Sequence, residues 1–176
     1  MALRPIVRYP HPSLATKASP VTEFDESLHT LIDDMVATMY DARGVGLAAN
    51  QVDVLQRVTV IDCSDKENEP ELLELVNPEI IERRGEITWE EGCLSLPELF
   101  DKVKRARHVK VRYQDRHGET HEITAADGLL AVCLQHEIDH LDGICFVDRM
   151  GPIKKQMALK EYRAIMDERR RKGLEP

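Results

Sequence analysis

Hydrophobic positions along this chain follow two periods. Leu28, Leu31, Ile32, Met35, Val36 and Met39 recur at steps of three and four, which predicts an amphipathic helix. It starts near Thr22 to Asp25, where Thr-x-x-Asp resembles a capping signal, and ends before Arg43-Gly44. Leu129, Val132, Cys133, His136 and His140 form a second stripe, predicting a helix over about Ala126 to Leu141 with Gly143 as its stop. A third helix is expected from Pro152 to Lys172, where Ile153, Met157, Leu159, Tyr162, Ile165 and Met166 give only a partial apolar face. Alternation by twos predicts strands at Arg57 to Ile61, Leu72 to Val76 and Glu86 to Trp89. It also predicts a hairpin, with Val109, Val111 and Tyr113 joined to Glu119–Thr124 through Asp115-Arg116-His117-Gly118. Met1 to Pro20 carries four prolines and reads as extended chain, and Asp62 to Glu71 as a charged loop.

Composition narrows the class. The 176 residues are 42% hydrophobic and 32% charged, which fits one globular domain over 1–176. No apolar run has the length of a membrane span, and the N-terminus lacks a signal-peptide core, so a cytoplasmic protein with no membrane association is expected. Four cysteines without an export signal favour free thiols or metal ligands over disulfides. A net charge of −8 argues against general nucleic-acid binding. The average hides an asymmetry: residues 151–176 carry eight Lys/Arg against four acids, which leaves −12 on the remainder.

The densest chemistry lies in Gln135-His136-Glu137-Ile138-Asp139-His140-Leu141-Asp142-Gly143. On a helix His136 and His140 leave the same face one turn apart, the spacing that two ligands of one metal ion require, and Glu137 stands beside them to deprotonate a water. A plain core helix with hydrogen-bonded histidines has the same pattern, so a third ligand decides. The metzincin-type extension fails, because Phe146 occupies its third-His position. Among the cysteines, Cys133 lies seven residues before His140, about 10 Å along a helix axis, too far for one ion. Cys145 is not excluded by geometry, Cys63 sits at a strand end, and Cys93 has the best surroundings, between Gly92 and Leu94. A Glu on the last helix, Glu161 or Glu168, would instead give a zinc peptidase, and four protein ligands a non-enzymatic structural metal site. His108, His117 and His121 sit in polar strands and turns and read as surface residues. The Gly44-Val45-Gly46-Leu47-Ala48-Ala49-Asn50-Gln51 stretch requires a tight turn or a close approach of backbone to another group.

Three segments, Gly-Val-Gly-Leu-Ala-Ala-Asn-Gln (44–51), Glu-Gly-Cys-Leu-Ser (91–95) and Gln-His-Glu-Ile-Asp-His-Leu-Asp-Gly (135–143), resemble the signature motifs of bacterial peptide deformylases in order and spacing. The resemblance implies an α+β fold in which antiparallel sheets pack around a central metal-binding helix, with an N-terminal and a C-terminal helix. It implies Cys93, His136 and His140 as metal ligands, Glu137 as acid/base, and Gln51 with the Leu94 amide as oxyanion donors. Val45 and Gly46 would border the substrate. The implied reaction is removal of the formyl group from N-formylmethionyl nascent peptides, with one divalent ion. Ligand type alone suggests Zn2+, whereas the family implies Fe2+ in the cell, with Zn2+, Ni2+ or Co2+ able to substitute. Leu129, Val132 and Cys133 extend the histidine face and are candidates to wall the methionine pocket, or plain core. Phe100 stands where related bacterial chains often carry an Arg, Lys104 replaces a frequent Pro, and Asn50 replaces a common Thr. The basic helix 151–176 suggests docking on the ribosome through phosphate contacts, by a protein expected to be a monomer.

Overall fold

Strand pairing accounts for most of the middle of the chain. The computed structural model describes residues 1–65 and 67–174. Five strands, β1 (Gly46–Ala48), β2 (Val58–Ile61), β3 (Leu73–Arg84), β6 (His108–Gln114) and β7 (Thr120–Ala126), form one antiparallel sheet in the order β1-β2-β3-β6-β7. A separate hairpin pairs β4 (Ile87–Cys93) with β5 (Leu96–Arg105). Helices α1 (Glu26–Asp41), α2 (Leu129–Leu141) and α3 (Pro152–Arg171) complete the α+β architecture.

The amphipathic stripe of α1 packs on the sheet. Leu28, Leu31, Ile32, Met35 and Met39 are buried with Leu47, Val58, Val60 and Val76. Its N-cap is Asp25, whose carboxylate accepts from the Leu28 amide, so Thr22 is not the capping residue. On the other side of α2, Leu96, Leu99 and Val103 of β5 pack with Phe146, Val147, Tyr162 and Met166, which seats α3 on the hairpin. Between them α2 is buried from Ala131 through Leu141, with Ala131, Leu134 and Ile138 against Ile61, Leu75, Val109 and Val111 of the sheet. The extended N-terminus straps these parts together. The Val7 amide donates to the Gln51 carbonyl at 2.8 Å, Tyr9 to Ser95 at 2.9 Å, and Ala18 to Leu141 at 2.8 Å.

Two expectations on the helices are corrected, and one strand had no expectation. Ala126 does not begin the second helix: it closes β7 opposite His108, Asp127 takes a left-handed φ of 55°, and Gly128 is the N-cap. Strand β5 carries no period-two signal, because Glu98 at φ 66° breaks the alternation and the buried set Leu96, Leu99, Val103 and Arg105 includes a cation. In α3, Ile153 and Met157 are 77% and 68% exposed, so the packed face is Ala158, Tyr162 and Met166 with Leu159 and Ile165 beside it. The Asp62–Glu71 loop, apart from Lys66, which lies outside the described residues, lacks regular structure, as its charge implies.

Candidate metal centre

One turn of α2 supplies two of the three donors, as its spacing requires. His136 and His140 Nε2 atoms lie 3.2 Å apart, and Cys93 Sγ is 3.3 Å from His140 Nε2. All three donor atoms fall within 4.8 Å of one another. Tetrahedral coordination with bonds of about 2.0–2.3 Å demands ligand–ligand edges of roughly 3.3–3.6 Å, so this triangle fits one ion and leaves a fourth position open. Cys93 arrives at the end of β4, where the pairing with β5 shifts register between Gly92 and Cys93 and turns the chain toward α2.

The ligands are held from behind. His136 Nδ1 lies 2.8 Å from Glu91 Oε1, which leaves Nε2 for a metal. Glu91 receives both Nε and Nη2 of Arg105, at 2.7 and 2.9 Å, and Arg105 Nη1 reaches Asp139 at 2.5 Å. Asp139 also accepts two bonds from Arg149. Burial alone would raise the Glu91 pKa, but the hydrogen bonds and charges of Arg105 and His136 bring it down to about 2. Burial disfavours the charged form of His136, yet Cys93, Glu91 and Glu137 together draw its pKa well above the usual histidine range. The same three anionic or polarisable neighbours favour a divalent cation in the proton's place. Burial pushes the pKa of His140 down, toward the neutral form a metal ligand needs. The signature segments contain Glu91 and Asp139, but their roles depend on Arg105, which lies outside those segments.

Glu137 borders the donor triangle, with Oε1 3.9 Å from His136 Nε2. A Cβ on Gly46 would meet that oxygen at 2.7 Å, so the glycine lets β1 lie against the carboxylate; Gly44 makes the same room for Leu94. Glu137 Oε2 is buried without a hydrogen-bond partner, and burial, seconded by Glu91 and opposed by His136, pushes its pKa up to about 7. Gln51 is held on both sides of its amide. Its Oε1 accepts from the Ala48 N–H at 3.0 Å, and its Nε2 donates to Ser95 Oγ at 3.1 Å and lies 3.5 Å from Cys93 Sγ.

A cavity of about 580 Å³ opens onto this centre. It is lined by Val45, Gly46, Gln51, Cys93, Leu94, Leu129, Val132, Cys133, His136 and Glu137, with Phe100 at the exposed rim over Gly92. His140 is fully buried behind the cavity, Cys145 packs away from it among apolar side chains, and Cys63 packs against the cluster that includes Cys133. Asn50 is tied to the N-terminal strap through the carbonyls of Ser13 and Thr16.

Neither alternative metal reading survives. Glu168 pairs with Arg171 and Lys172 of its own helix, Glu161 is exposed, and neither joins the donor group expected of a zinc peptidase. Among the described residues the buried group offers three protein donors, not the four of a structural site. Asp115, Glu119 and His121 also lie together, but Asp115 accepts the His117 and Glu119 amides and holds the exposed hairpin turn. His108, His117 and His121 stay outside the cavity.

Residues 3–156 match the polypeptide deformylase family. Peptide deformylase 2 of Xanthomonas axonopodis pv. citri is 52% identical over 164 residues, 92% of this chain and 95% of that one. A crystal structure of a peptide deformylase from Legionella pneumophila, 49% identical, superposes with a TM-score of 0.88 over 99% of this chain and 100% of the other. The Ehrlichia chaffeensis peptide deformylase in complex with actinonin, 36% identical, superposes with a TM-score of 0.84 over 92% and 96% of the two chains.

Proposed function

This chain belongs to the polypeptide deformylase family, metal-dependent hydrolases that remove the N-terminal formyl group from nascent polypeptides, and we propose that Cys93, His136 and His140 hold its metal ion. The observation that carries the assignment is the convergence of three metal donors beside one cavity with a buried Glu137 oxygen, Oε2, that has no hydrogen-bond partner. When bound, the ion supplies Lewis acidity that polarises the formyl carbonyl and lowers the pKa of water. The remaining steps fall to the protein. Glu137, poised near neutrality, takes the proton of the attacking water and later delivers it to the leaving amine. Gln51 has one amide hydrogen engaged by Ser95 and directs the other toward Cys93, where it and the Leu94 N–H stabilise the tetrahedral oxyanion. One such donor is worth about 3–4 kcal/mol. Leu129, Val132 and Cys133 wall the methionine side chain, and Val45 and Gly46 flank the peptide.

The whole chain 1–176 acts as a single catalytic domain. Ferrous iron is the resident ion, with Zn2+, Ni2+ or Co2+ able to replace it. The enzyme works as a cytoplasmic monomer on N-formylmethionyl peptides, and α3 docks it near nascent chains on the ribosome. No described helix is long and apolar enough to cross a membrane. Exposed Lys160 and Arg163 support phosphate contacts, whereas Arg170 and Arg171 are already paired within the helix.

The deciding experiment combines metal analysis with formyl-peptide turnover after anaerobic purification. Cys93→Ala should lose metal and activity together, whereas Cys145→Ala keeps both. Glu137→Ala should keep the metal and lose roughly 10²–10⁴ in turnover. A fully metallated Cys93→Ala protein overturns the ligand set. Actinonin, the ligand in the Ehrlichia structure, should compete with formyl peptide in this cavity.

A further inference from the structure

Three consecutive residues of the N-terminal strap bond to the segments that carry Gln51 and Leu94. The Val7 amide donates to the Gln51 carbonyl at 2.8 Å, Arg8 Nη1 to the Leu94 carbonyl at 2.8 Å, and the Tyr9 amide to the Ser95 carbonyl at 2.9 Å. Leu94 and Ser95 turn β4 into β5, so the strap takes up both carbonyls of that turn. Leu94 is thereby fixed on three sides. Cys93 precedes it in the donor group, and its side chain seats against Gly44, where an added Cβ would meet Cδ1 at 2.6 Å. Arg8 holds its carbonyl. Ser95 in turn accepts from Gln51 Nε2 through Oγ at 3.1 Å. Unlike Arg105, the half-buried Arg8 donates only to main-chain carbonyls, those of Ile6 and Leu94, and has no carboxylate partner among the described residues. It lines the cavity, and its Nε is buried without a hydrogen-bond partner. A cation kept there without a counter-charge is not a stabilising ion pair, and its unsatisfied nitrogen calls for another role.

We propose that Arg8 is a positioning residue for deformylation: by pinning the Leu94 carbonyl it holds the Leu94 N–H where the tetrahedral oxyanion forms. This role rests on the assignment of the Leu94 N–H and Gln51 as oxyanion donors. Only φ and ψ of Leu94 separate the peptide plane that carries its N–H from the plane that carries its carbonyl. With Cys93 held in the donor group at one end and Arg8 on the carbonyl at the other, both planes are set before substrate arrives. A donor fixed in this way needs no reorganisation as charge develops on the formyl oxygen. A guanidinium suits the task, because a hydrogen bond from an ionised donor is about twice as strong as a neutral one. The benefit appears in the transition state, so loss of Arg8 acts on kcat and leaves KM in place.

The test measures kcat and KM for a formylmethionyl peptide, with metal content, in the metal-loaded parent and in Arg8→Met, Arg8→Lys and Gln51→Ala enzymes. Arg8→Met keeps the unbranched stem and removes the donor. Its kcat should fall by about 10- to 10²-fold, with KM and metal content unchanged; outright loss of an oxyanion donor gives roughly 10²–10³. Arg8→Lys keeps a charged donor and should recover most of that loss. Arg8→Gln, whose shorter side chain ends before the Leu94 carbonyl, should match Arg8→Met and stands in for it if that variant does not fold. Parent kcat in the folded neutral variants, a raised KM at parent kcat, or loss of metal overturns the positioning role. Equal losses in Arg8→Lys and Arg8→Met overturn it too, as does failure of both neutral variants to fold, which would make Arg8 a structural residue. Gln51→Ala separates the two assignments. Parent-like kcat there overturns the oxyanion site itself, and the role of Arg8 with it. A large fall there, with Arg8→Met unaffected, overturns only the part given to Arg8.

Discussion

Helices α2 and α3 are built on opposite terms. Every residue of α2 from Ala131 to Leu141 is buried, including Gln135, His136, Glu137, Asp139 and His140, whereas in α3 only Ala158, Tyr162 and Met166 are buried. Three polar groups of α2 find partners far away in sequence. Gln135 brackets Ala106 with two bonds, His136 meets Glu91, and Asp139 meets Arg105. The charges near the end of α3 pair within one turn, Arg170 with Asp167 and Arg171 with Glu168, although Arg169 also reaches Glu98. A buried charge must be matched by tertiary structure or it destabilises the fold, while a solvated charge needs no fixed partner. The chemistry therefore sits where the fold leaves no freedom.

The largest effect that would break this contrast is loss of Arg105, whose side chain is 4% exposed and which neutralises both Glu91 and Asp139. Arg105→Ala should cost about 3–5 kcal/mol in denaturant unfolding, because Glu91 stays buried without its guanidinium while Asp139 keeps only Arg149. A loss under 1 kcal/mol would mean that the network is solvated after all. Gly46→Ala probes the tightest approach to α2. The added methyl would meet Glu137 Oε1 at 2.7 Å and displace the carboxylate. Turnover should fall by about 10²-fold, as for a 1 Å misplacement of a catalytic group, with metal content unchanged.

Acid titration sharpens the same comparison. The Glu91 carboxyl titrates lower in the folded state than in the unfolded chain, so its ionised form contributes stability that is complete above the ordinary carboxylate range. That contribution is lost as pH falls toward about 2. Replacing Glu91 with Gln should flatten the stability curve in that window, measured by denaturant midpoint against pH; an unchanged slope would remove Glu91 as its source. The smallest effect belongs to α3. Arg170→Ala with Arg171→Ala should change stability by less than about 1 kcal/mol and leave short-peptide turnover unchanged. For the same helix, Lys160→Glu with Arg163→Glu should reduce ribosome sedimentation in a salt-dependent way; equal binding by parent and variant would end the docking proposal.

The sequence by itself determined whatever depends on neighbours along the chain. The spacing of His136, Glu137 and His140 follows from 3.6 residues per turn, and the stripe of α1 and the β6–β7 hairpin follow from local periodicity and turn residues. Three glycine-containing segments in family order identified the deformylase, and with it the choice of Cys93 that spacing alone had left open. Tertiary structure decided the rest, because those partners meet only after long loops close. Arg105 turns inward from a strand whose alternation Glu98 breaks, so nothing local marks it as the cation between Glu91 and Asp139. Gly46 matters through a carboxylate ninety-one positions away. Ile153 and Met157 looked like part of a packed face, but the apolar cluster under α3 takes in only Ala158, Leu159, Tyr162, Ile165 and Met166, and both side chains remain in solvent.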